Sequence, residues 1–291
     1  MNVEKWIAEN TESLNNKTIA ITGTTGGLGK ELCRYMASLG ANLVLVDRNI
    51  QKSESFAKEL QNKHNVSVEC ITADLEDMES VKNATAELQR RDLYAFIHNA
   101  GAYDIPRHKC TTGYDNVFQI NFVSPYYIIK ELLPYLSKNN GRVVAVGSIA
   151  HNYSKVDEKD IDFSSRKQAS KTYGNAKRYL MFSLLKLFEK EKSVKLSITH
   201  PGISFTGITD HYPKWIFFII KNPMKVIFMK PKKACLSILK GVFDETRSFE
   251  WIGPRFFNIW GKPKKQILKT AKTKEIDFIY KTAENIYSKL K

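Results

Sequence analysis

Cysteine is scarce in this chain. Its 291 residues include four cysteines, and no two of them stand in the CxxC spacing of a zinc or redox site. We therefore expect buried, reduced thiols, with neither a disulfide framework nor a metal site. The four residues are Cys33, Cys70, Cys110 and Cys235.

Long apolar runs are also missing. No stretch reaches the roughly 18 apolar residues of a membrane-spanning helix, and the polar first residues lack the apolar core of a secretory signal. We therefore expect a cytoplasmic protein. Two shorter apolar runs, 215–220 and 226–229, flank Lys221-Asn222-Pro223 and lie near lysines. They could form a buried lid, a helix of a homodimer interface, or a segment lying on an anionic membrane surface.

Acidic residues are too few to balance the basic ones. Forty-five Lys and Arg against 30 Asp and Glu give a net charge of +15, with much of the excess after residue 210. Such a field attracts anionic lipid, nucleic acid or an anionic ligand, although a lysine-rich solvated surface explains it equally simply. No nucleic-acid-binding motif accompanies the charge, so we expect no nucleic-acid partner.

Apolar strands alternate with amphipathic helices along the first 200 residues. Apolar strands that alternate with helices predict a parallel sheet covered on both faces, a doubly wound α/β (Rossmann) fold. The length favours a single domain. The predicted strands are 18–22, 42–46, 66–72, 93–97, 141–146 and 195–199; the predicted helices are 3–9, one ending near residue 39, 53–63, 78–90, 116–136 with a kink or boundary at Pro125, 173–190, and a basic helix over 262–291.

A glycine-rich turn, Thr22–Gly29, joins the first strand to the first helix of the predicted sheet. Glycines let backbone N–H groups approach an anion, and the helix N-terminus favours negative charge, so the turn is typical of a pyrophosphate site. Asp47 at the end of the second strand strengthens this interpretation. Further polar side chains follow the other strands at the same edge of the sheet, namely Asp74, Asn99 and Ser148.

Tyr173 and Lys177 stand four residues apart on a predicted helix, so their side chains share one face. A carbonyl that is being reduced needs a proton and a donor to its developing negative charge. A phenol has a pKa near ~10, and an adjacent ammonium lowers it. Ser148 would hold and polarise the substrate oxygen.

Together the motifs resemble the short-chain dehydrogenase/reductase family over about residues 15–210. They are TGxxxGxG at Thr22–Gly29, a variant of NNAG at His98–Gly101, YxxxK at Tyr173–Lys177 and the Pro201-Gly202 turn. The resemblance implies an NAD(P)-dependent oxidoreductase with catalytic Asn121, Ser148, Tyr173 and Lys177, in which Asn121 orients a water. The implied cofactor contacts are Gly23, Thr24, Thr25, Gly26, Gly27, Leu28, Gly29, Asp47, Arg48, Asp74, Leu75, Asn99, Ala100, Gly101, Tyr173, Lys177, Pro201, Gly202 and Thr206.

The choice between NAD and NADP stays open, with a slight lean to NAD. Asp47 would bind the adenosine ribose hydroxyls and repel a 2′-phosphate, whereas Arg48 could pair with that phosphate. For Asp74, capping of the following helix is an alternative to adenine contact.

The branch is suggested by Ser148-Ile149-Ala150-His151 and by the 25 residues between Ser148 and Tyr173. Both resemble retinol-dehydrogenase-like members, where an inserted loop lies over the substrate mouth. We expect a substrate lid at about 203–235, whose apolar residues suit a lipophilic alcohol, aldehyde or ketone, and a C-terminal extension at about 240–291. The alternative is a non-catalytic dinucleotide-binding redox sensor or interaction protein.

Overall fold

The computed structural model describes residues 2–202, 229–246 and 249–291. Their centre is a single sheet built from β1 Thr18–Thr22, β2 Asn42–Asp47, β3 Val68–Thr72, β4 Leu93–His98, β5 Arg142–Val146, β6 Lys195–Thr199, β7 Glu250–Phe256 and β8 Trp260–Ile267. The order across the sheet is β3-β2-β1-β4-β5-β6-β7-β8. All pairings are parallel except that of β7 with β8, which is antiparallel.

Helices cover both faces of this sheet. They are α1 Val3–Asn10, α2 Gly27–Ser38, α3 Ile50–His64, α4 Met78–Leu88, α5 Asn116–Phe118, α6 Ser124–Ser137, α7 Ala169–Lys190, α8 Pro231–Ala234, α9 Leu236–Phe243 and α10 Thr273–Leu290. One apolar layer joins the sheet to α4, α6, α7 and α10, and the other joins it to α1, α2, α3 and α9. The predicted doubly wound α/β fold is confirmed. Because each inner strand is buried on both sides, its sequence is apolar throughout, as in Ile19-Ala20-Ile21.

The helix predicted over 116–136 is interrupted earlier than the sequence suggests. Residues Gln119–Val123 form a π-helical segment between α5 and α6. α6 continues directly from this segment, since the N–H of Ser124 donates to the carbonyl of Gln119, and Pro125 lies in the first turn of α6. The boundary predicted at Pro125 therefore falls next to the observed junction, and the wider turn before it carries Asn121. Such π-helical insertions are common at functional sites.

The prediction of a continuous helix over 262–291 is wrong in its first part. Residues Glu250–Phe256 and Trp260–Ile267 form a hairpin at the edge of the sheet, and α10 begins only at Thr273. Pro254 and Pro263 hid the two strands, since proline is confined to edge positions in sheets. The rest of the predicted helix is present as α10, and Ile276, Ile279 and Ala283 form its buried face.

None of the helices within the described ranges is long and apolar enough to cross a bilayer. The apolar runs 215–220 and 226–228 and most of the expected lid lie outside the described residues.

Candidate active site

The glycine-rich turn after β1 is shaped by two close backbone approaches. Gly23 has φ +71°, and a Cβ there would lie 2.8 Å from the Cα of Ala100. A Cβ on Gly29 would overlap the carbonyl oxygen of Gly23. Both positions therefore need glycine, the first to let the β1 and β4 ends meet and the second to fold the turn onto α2.

The outer side of the same turn is open. A Cβ on Gly26 would meet nothing nearer than 3.8 Å, and one on Gly27 nothing nearer than 3.9 Å. No side chain caps the N-terminus of α2, whose N-cap is Gly26. Leu28 points into the core and is 8% exposed, so only its backbone can face a ligand. An uncapped helix N-terminus beside a bare backbone surface fits a pyrophosphate.

Asp47 is buried at the end of β2 and its carboxylate is already engaged. Oδ1 accepts hydrogen bonds from the backbone N–H of Thr25 at 3.3 Å and from its hydroxyl at 3.2 Å. Oδ2 accepts from the hydroxyl of Ser53 at 3.0 Å and from that of Thr24. Because a carboxylate offers about four lone-pair sites, these four donors leave little capacity for a ribose. Arg48, next in the chain, is exposed, and the described residues give it no ion pair.

The residues after β3 form a turn. Asp74 accepts a hydrogen bond from the backbone N–H of Glu76 at 3.0 Å. The cap of α4 is Asp77, so the alternative that Asp74 caps that helix is wrong. The backbone carbonyl of Leu75 accepts from the hydroxyl of Ser124 at 2.7 Å, which holds the turn against α6.

Asn99 holds the ends of β1 and β4 together. Its amide donates to the carbonyl oxygens of Thr22 at 3.1 Å and Gly23 at 3.0 Å. Its Oδ1 is buried with no partner in the described part of the chain. The hydroxyl of Thr22 accepts from the N–H groups of Asn99 and Ala100, so it donates to Nδ1 of His98. His98 therefore carries its proton on Nε2, and burial with the nearby Lys177 charge holds its pKa well below the ordinary value.

Ser148, Tyr173 and Lys177 come together where β5 and α7 meet. The Ser148 side chain lies near enough to the Tyr173 phenol to lower its pKa, and the ammonium of Lys177 lies 5.7 Å from the centre of the Tyr173 ring. Gly174 permits this approach, because a Cβ there would overlap the carbonyl oxygen of Ala150. Tyr103, which the sequence did not single out, packs edge-on against Tyr173 with ring centres 5.4 Å apart.

The two ionisable groups of this cluster have displaced pKa values. Burial raises the pKa of Tyr173 to about 12, the nearby Ser148 side chain opposes that rise, and Tyr103 adds to it. Burial lowers the pKa of Lys177 from 10.5 to about 7. Lys177 donates to the carbonyl oxygen of Val146 at 3.0 Å, the one acceptor recorded for it among the described residues, so further donors are available.

Asn121 lies in the π-helical segment with its side chain buried. Its amide nitrogen donates to the carbonyls of Ala102 at 2.9 Å and Val117 at 2.8 Å. Its Oδ1 has no partner in the described chain. That oxygen lies 2.8 Å from the point where a Gly101 Cβ would stand, and the Lys177 ammonium lies 3.5 Å from the same point. The bare Gly101 thus leaves a space bordered by an acceptor and a cation.

The loop of Ser148 is held from the C-terminal part of the chain. His151 is buried, and its Nδ1 lies 2.6 Å from the carbonyl oxygen of Ser148, which can only accept. Burial lowers the pKa of His151 to about 4, so the ring is neutral and its single proton is on Nδ1. Nε2 therefore accepts from the hydroxyl of Thr270 at 2.7 Å. Arg178 joins the same group by donating to the carbonyl of His151 at 3.1 Å and pairing with Glu275 at 2.5 Å.

The sequence does not reveal the hydrogen bonds that join His151 to Thr270, because the two residues are about 120 positions apart in the chain. The one local signal is His151 itself, three residues after Ser148.

Pro201 and Gly202 follow β6 at the same edge of the sheet, and Gly202 has φ +83°. Thr206 lies outside the described residues. Within those residues, no group of three His, Cys, Asp or Glu side chains is placed to hold a metal ion.

The inserted segment between Ser148 and Tyr173 is anchored to the stretch before α5. Arg107 donates to the carbonyl of Phe163 at 2.9 Å and pairs with Asp115 at 2.7 Å. Asp162 accepts from the backbone N–H of Asp115 at 2.9 Å. The insertion is thus a fixed part of the described structure at the side of α7.

The fold and this cluster are typical of dinucleotide-binding oxidoreductases of the doubly wound class. A sequence profile of the short chain dehydrogenase family matches residues 17–215. The chain belongs to this family, and several of its relatives are retinol dehydrogenases.

Two curated relatives illustrate the similarity. Retinol dehydrogenase 12 of Mus musculus is 31% identical over 66% of the chain. A dehydrogenase/reductase of Arabidopsis thaliana, SDR family member FEY, is 27% identical over 80%. The chain spans slightly less than two thirds of either relative, 63% and 66%.

Solved structures confirm the fold. An uncharacterised protein from Mycobacterium paratuberculosis superposes with a TM-score of 0.74 at 22% identity, covering 97% of this chain and 96% of that one. A short-chain dehydrogenase from Sphingobium yanoikuyae in complex with NADPH gives a TM-score of 0.60 at 20% identity, covering 77% and 83%.

Proposed function

We propose that the chain transfers a hydride between NADP(H) and the oxygen-bearing carbon of a lipophilic alcohol, aldehyde or ketone. The observation that carries the proposal is the cluster of Ser148, Tyr173 and Lys177 beside an open glycine-rich turn at one edge of the sheet. The nicotinamide of the bound cofactor would supply or accept the hydride. The protein's own groups handle the proton and the charge on oxygen.

Tyr173 acts as the general acid when a carbonyl is reduced. With a pKa of about 12 its phenol is protonated at neutral pH and can donate to the oxygen as charge develops there. Ser148, whose side chain lies near that of Tyr173, donates to the same oxygen and stabilises its charge. In the direction of alcohol oxidation Tyr173 must be deprotonated, and the Lys177 ammonium favours that form.

Lys177 and Asn121 together return a proton to Tyr173 after it has donated its own. The space at Gly101 is bordered by the unpartnered Oδ1 of Asn121 and by the Lys177 ammonium. A water held there would have two polar partners, which is what a buried water needs. We infer that Asn121 positions this water and that Lys177 passes its proton toward Tyr173.

For the cofactor, the geometry at β2 favours NADP over the NAD to which the sequence leans. The Asp47 carboxylate already accepts hydrogen bonds from Thr24, Thr25 and Ser53, which leaves it little capacity to bind the ribose hydroxyls. Arg48 is exposed at the neighbouring position and suits a 2′-phosphate. The Asp74-Leu75 turn and Asn99 would border the adenine and ribose side.

The substrate class rests on the apolar runs at 215–220 and 226–229, on the aromatic side chain of Tyr103 beside Tyr173, and on the branch. Retinol dehydrogenase 12 is named for a lipophilic alcohol. We propose a substrate of that general character, and contact of the protein with a membrane surface as its source.

The catalytic assignment is tested by Tyr173→Phe, with Tyr103→Phe as a matched control. A panel of aldehydes and ketones is assayed with NADPH and NADH, and cofactor binding is followed by titration calorimetry. We expect Tyr173→Phe to lose at least ~10²-fold in kcat while binding cofactor as the wild type does, because general acid catalysis supplies about that factor. Tyr103→Phe should keep most of its turnover.

Undiminished turnover in Tyr173→Phe would refute the catalytic role. A wild-type protein that binds cofactor but reduces none of the panel would favour the non-catalytic sensor instead.

The cofactor assignment is tested separately by Arg48→Ala. We expect the Kd for NADP to weaken about 10- to 100-fold, the range of a lost charge-assisted hydrogen bond, with NAD affinity unchanged. Equal affinities of wild type and variant for NADP would overturn it.

A further inference from the structure

Large apolar side chains are exposed together at the tip of the β7–β8 hairpin. Phe256 is 56% exposed, Phe257 81% and Trp260 36%, and Ile267 further along β8 is 67% exposed. In the described ranges Tyr153 is the only other large apolar side chain in this class of exposure. A contiguous exposed apolar group of this kind marks an interaction surface. We name residues 256–260 the aromatic tip.

Phe257 in the aromatic tip has a backbone conformation that is unfavourable for a bulky side chain. Phe257 has φ +52° and Asn258 φ +59°, and the N–H of Ile259 donates to the carbonyl of Phe256 at 2.9 Å. Such a turn, with both central residues in the left-handed region, prefers Asn or Gly at those positions. A bulky aromatic residue there is a conformational outlier, which indicates that its exposure serves a purpose other than folding.

The sequence around the aromatic tip is rich in basic residues. The stretch 251–274 contains seven Lys and Arg and no Asp or Glu. Lys265 pairs with Asp244 at 3.7 Å, whereas Arg255, Lys262 and Lys264 are exposed and have no ion pair among the described residues. Lysines and a proline on an edge strand also protect against pairing with another strand. That protection explains the lysines of β8 but not the three exposed aromatics beside them.

We propose that the aromatic tip with Arg255, Lys262 and Lys264 is a docking surface for an anionic lipid bilayer. Aromatic side chains are favoured at the headgroup level of a membrane, and basic side chains beside them are attracted by anionic headgroups. A protein partner would need an acidic surface to complement these basic side chains, and pairing of another strand with β8 is opposed by the lysines and the proline of β8. The bilayer satisfies both the apolar and the basic parts of the surface.

The docking surface borders the Pro201-Gly202 turn, which is one of the predicted cofactor contacts. The N–H of His200 donates to the carbonyl of Ile252 at 2.7 Å, and Nε2 of His200 donates to that of Asn258 at 2.8 Å. A Cβ on Gly202 would lie 2.7 Å from the carbonyl oxygen of Ile259. The aromatic tip thus packs on the Pro201-Gly202 turn. If the proposed function holds, docking brings the substrate mouth to the membrane that dissolves a lipophilic substrate; docking itself does not depend on that function.

The test is co-sedimentation of the full chain with vesicles of phosphatidylcholine alone and of phosphatidylcholine mixed with phosphatidylserine. The first variant is Phe257→Asn, which suits the turn and should leave thermal stability unchanged or higher. The second is Lys262→Ser with Lys264→Ser, and its matched control is Lys58→Ser with Lys63→Ser, exposed lysines of α3 at the opposite edge of the sheet.

We expect the wild type to bind the mixed vesicles at least tenfold more strongly than the neutral ones. Binding should fall about fivefold for each hairpin lysine removed, and by a similar factor in Phe257→Asn. The α3 control and Tyr173→Phe should bind as the wild type does, and the latter separates this surface from the catalytic proposal.

Three results would overturn the assignment. The first is a wild-type protein that does not sediment with the mixed vesicles. The second is full binding of these vesicles by Phe257→Asn, which would place lipid binding elsewhere on the protein. The third is a changed oligomeric state in Phe257→Asn, which would make the aromatic tip an interface between copies of the chain.

Discussion

Lys177 is a buried ammonium that the folded protein holds at a cost, and the cost is measurable. Burial lowers its pKa from 10.5 to about 7. At ~1.4 kcal/mol per pH unit, this difference destabilises the folded state by about 4–5 kcal/mol near and below neutral pH. Replacement by methionine keeps most of the length of the side chain, which becomes one atom shorter, and removes the charge. The hydrogen bond to the Val146 carbonyl is lost as well, which costs about 1–3 kcal/mol.

We therefore expect Lys177→Met to be more stable than the wild type by about 2 kcal/mol at pH 7, while its turnover is abolished. The difference should depend on pH in a defined direction. Between pH 7 and about 10.5 the unfolded lysine still binds a proton that the folded one has released, so wild-type stability rises with pH. The variant lacks that rise, and its advantage should vanish or reverse near pH ~10.

Urea unfolding of both proteins at neutral and alkaline pH measures this, with Lys58→Met on the exposed face of α3 as the control. The control should show no such pH-dependent difference. A Lys177→Met protein that is less stable than the wild type at pH 7, or whose difference in unfolding free energy does not change with pH, would refute the reasoning. The expected result would identify Lys177 as a residue whose presence only function explains.

Two further changes address the packing that holds Ser148 against Tyr173. In an ordinary helix, replacing glycine by alanine increases stability by about 1 kcal/mol. In Gly174→Ala the added Cβ would overlap the carbonyl oxygen of Ala150, so we expect the free energy of unfolding, measured by thermal unfolding, to fall by about 1–3 kcal/mol and kcat to fall as well. Glu275→Gln leaves the buried Arg178 without its partner and should cost about 3–5 kcal/mol in urea unfolding. Asp277→Asn, which breaks an exposed ion pair on the same helix, should leave stability nearly unchanged, and equal losses in the two variants would contradict the assignment of Arg178 as buried and dependent on Glu275.

The parts of the fold that the sequence predicted are those in which local pattern and burial agree. Strands β1, β2, β4, β5 and β6 are apolar because both of their faces are covered, whereas β3 at the edge of the sheet is only partly buried. Polar residues follow the ends of these strands at one edge. The β7–β8 hairpin escaped because it lies at the edge, where Pro254 and Pro263 are tolerated and no period of burial is imposed.

The candidate site shows the same division. Glycines and the Tyr173–Lys177 spacing are local signals, and the structure brings these residues together as expected. The sequence could not show that the Asp47 carboxylate is already hydrogen-bonded, because its donors are the hydroxyls of Thr24, Thr25 and Ser53, which approach it only in the folded chain. A carboxylate at the end of β2 is therefore an incomplete guide to the cofactor unless its donors are known.

Residues of the C-terminal part of the chain hold the loop of Ser148 in place, through hydrogen bonds from Thr270 to His151 and from His151 to the Ser148 carbonyl. Because His151 is neutral, its one proton lies on Nδ1 and is donated to the Ser148 carbonyl, which leaves Nε2 to accept a hydrogen bond from the hydroxyl of Thr270. Thr270 is held in turn by Arg178, which donates to its carbonyl at 3.2 Å and pairs with Glu275 of α10. Arg178 stands one residue after Lys177 on α7, so the same helix carries the catalytic face and the face that anchors the extension. A loosening of α10 would therefore reach Ser148 and Tyr173 together, through a buried chain of hydrogen bonds in which every member has one workable proton arrangement.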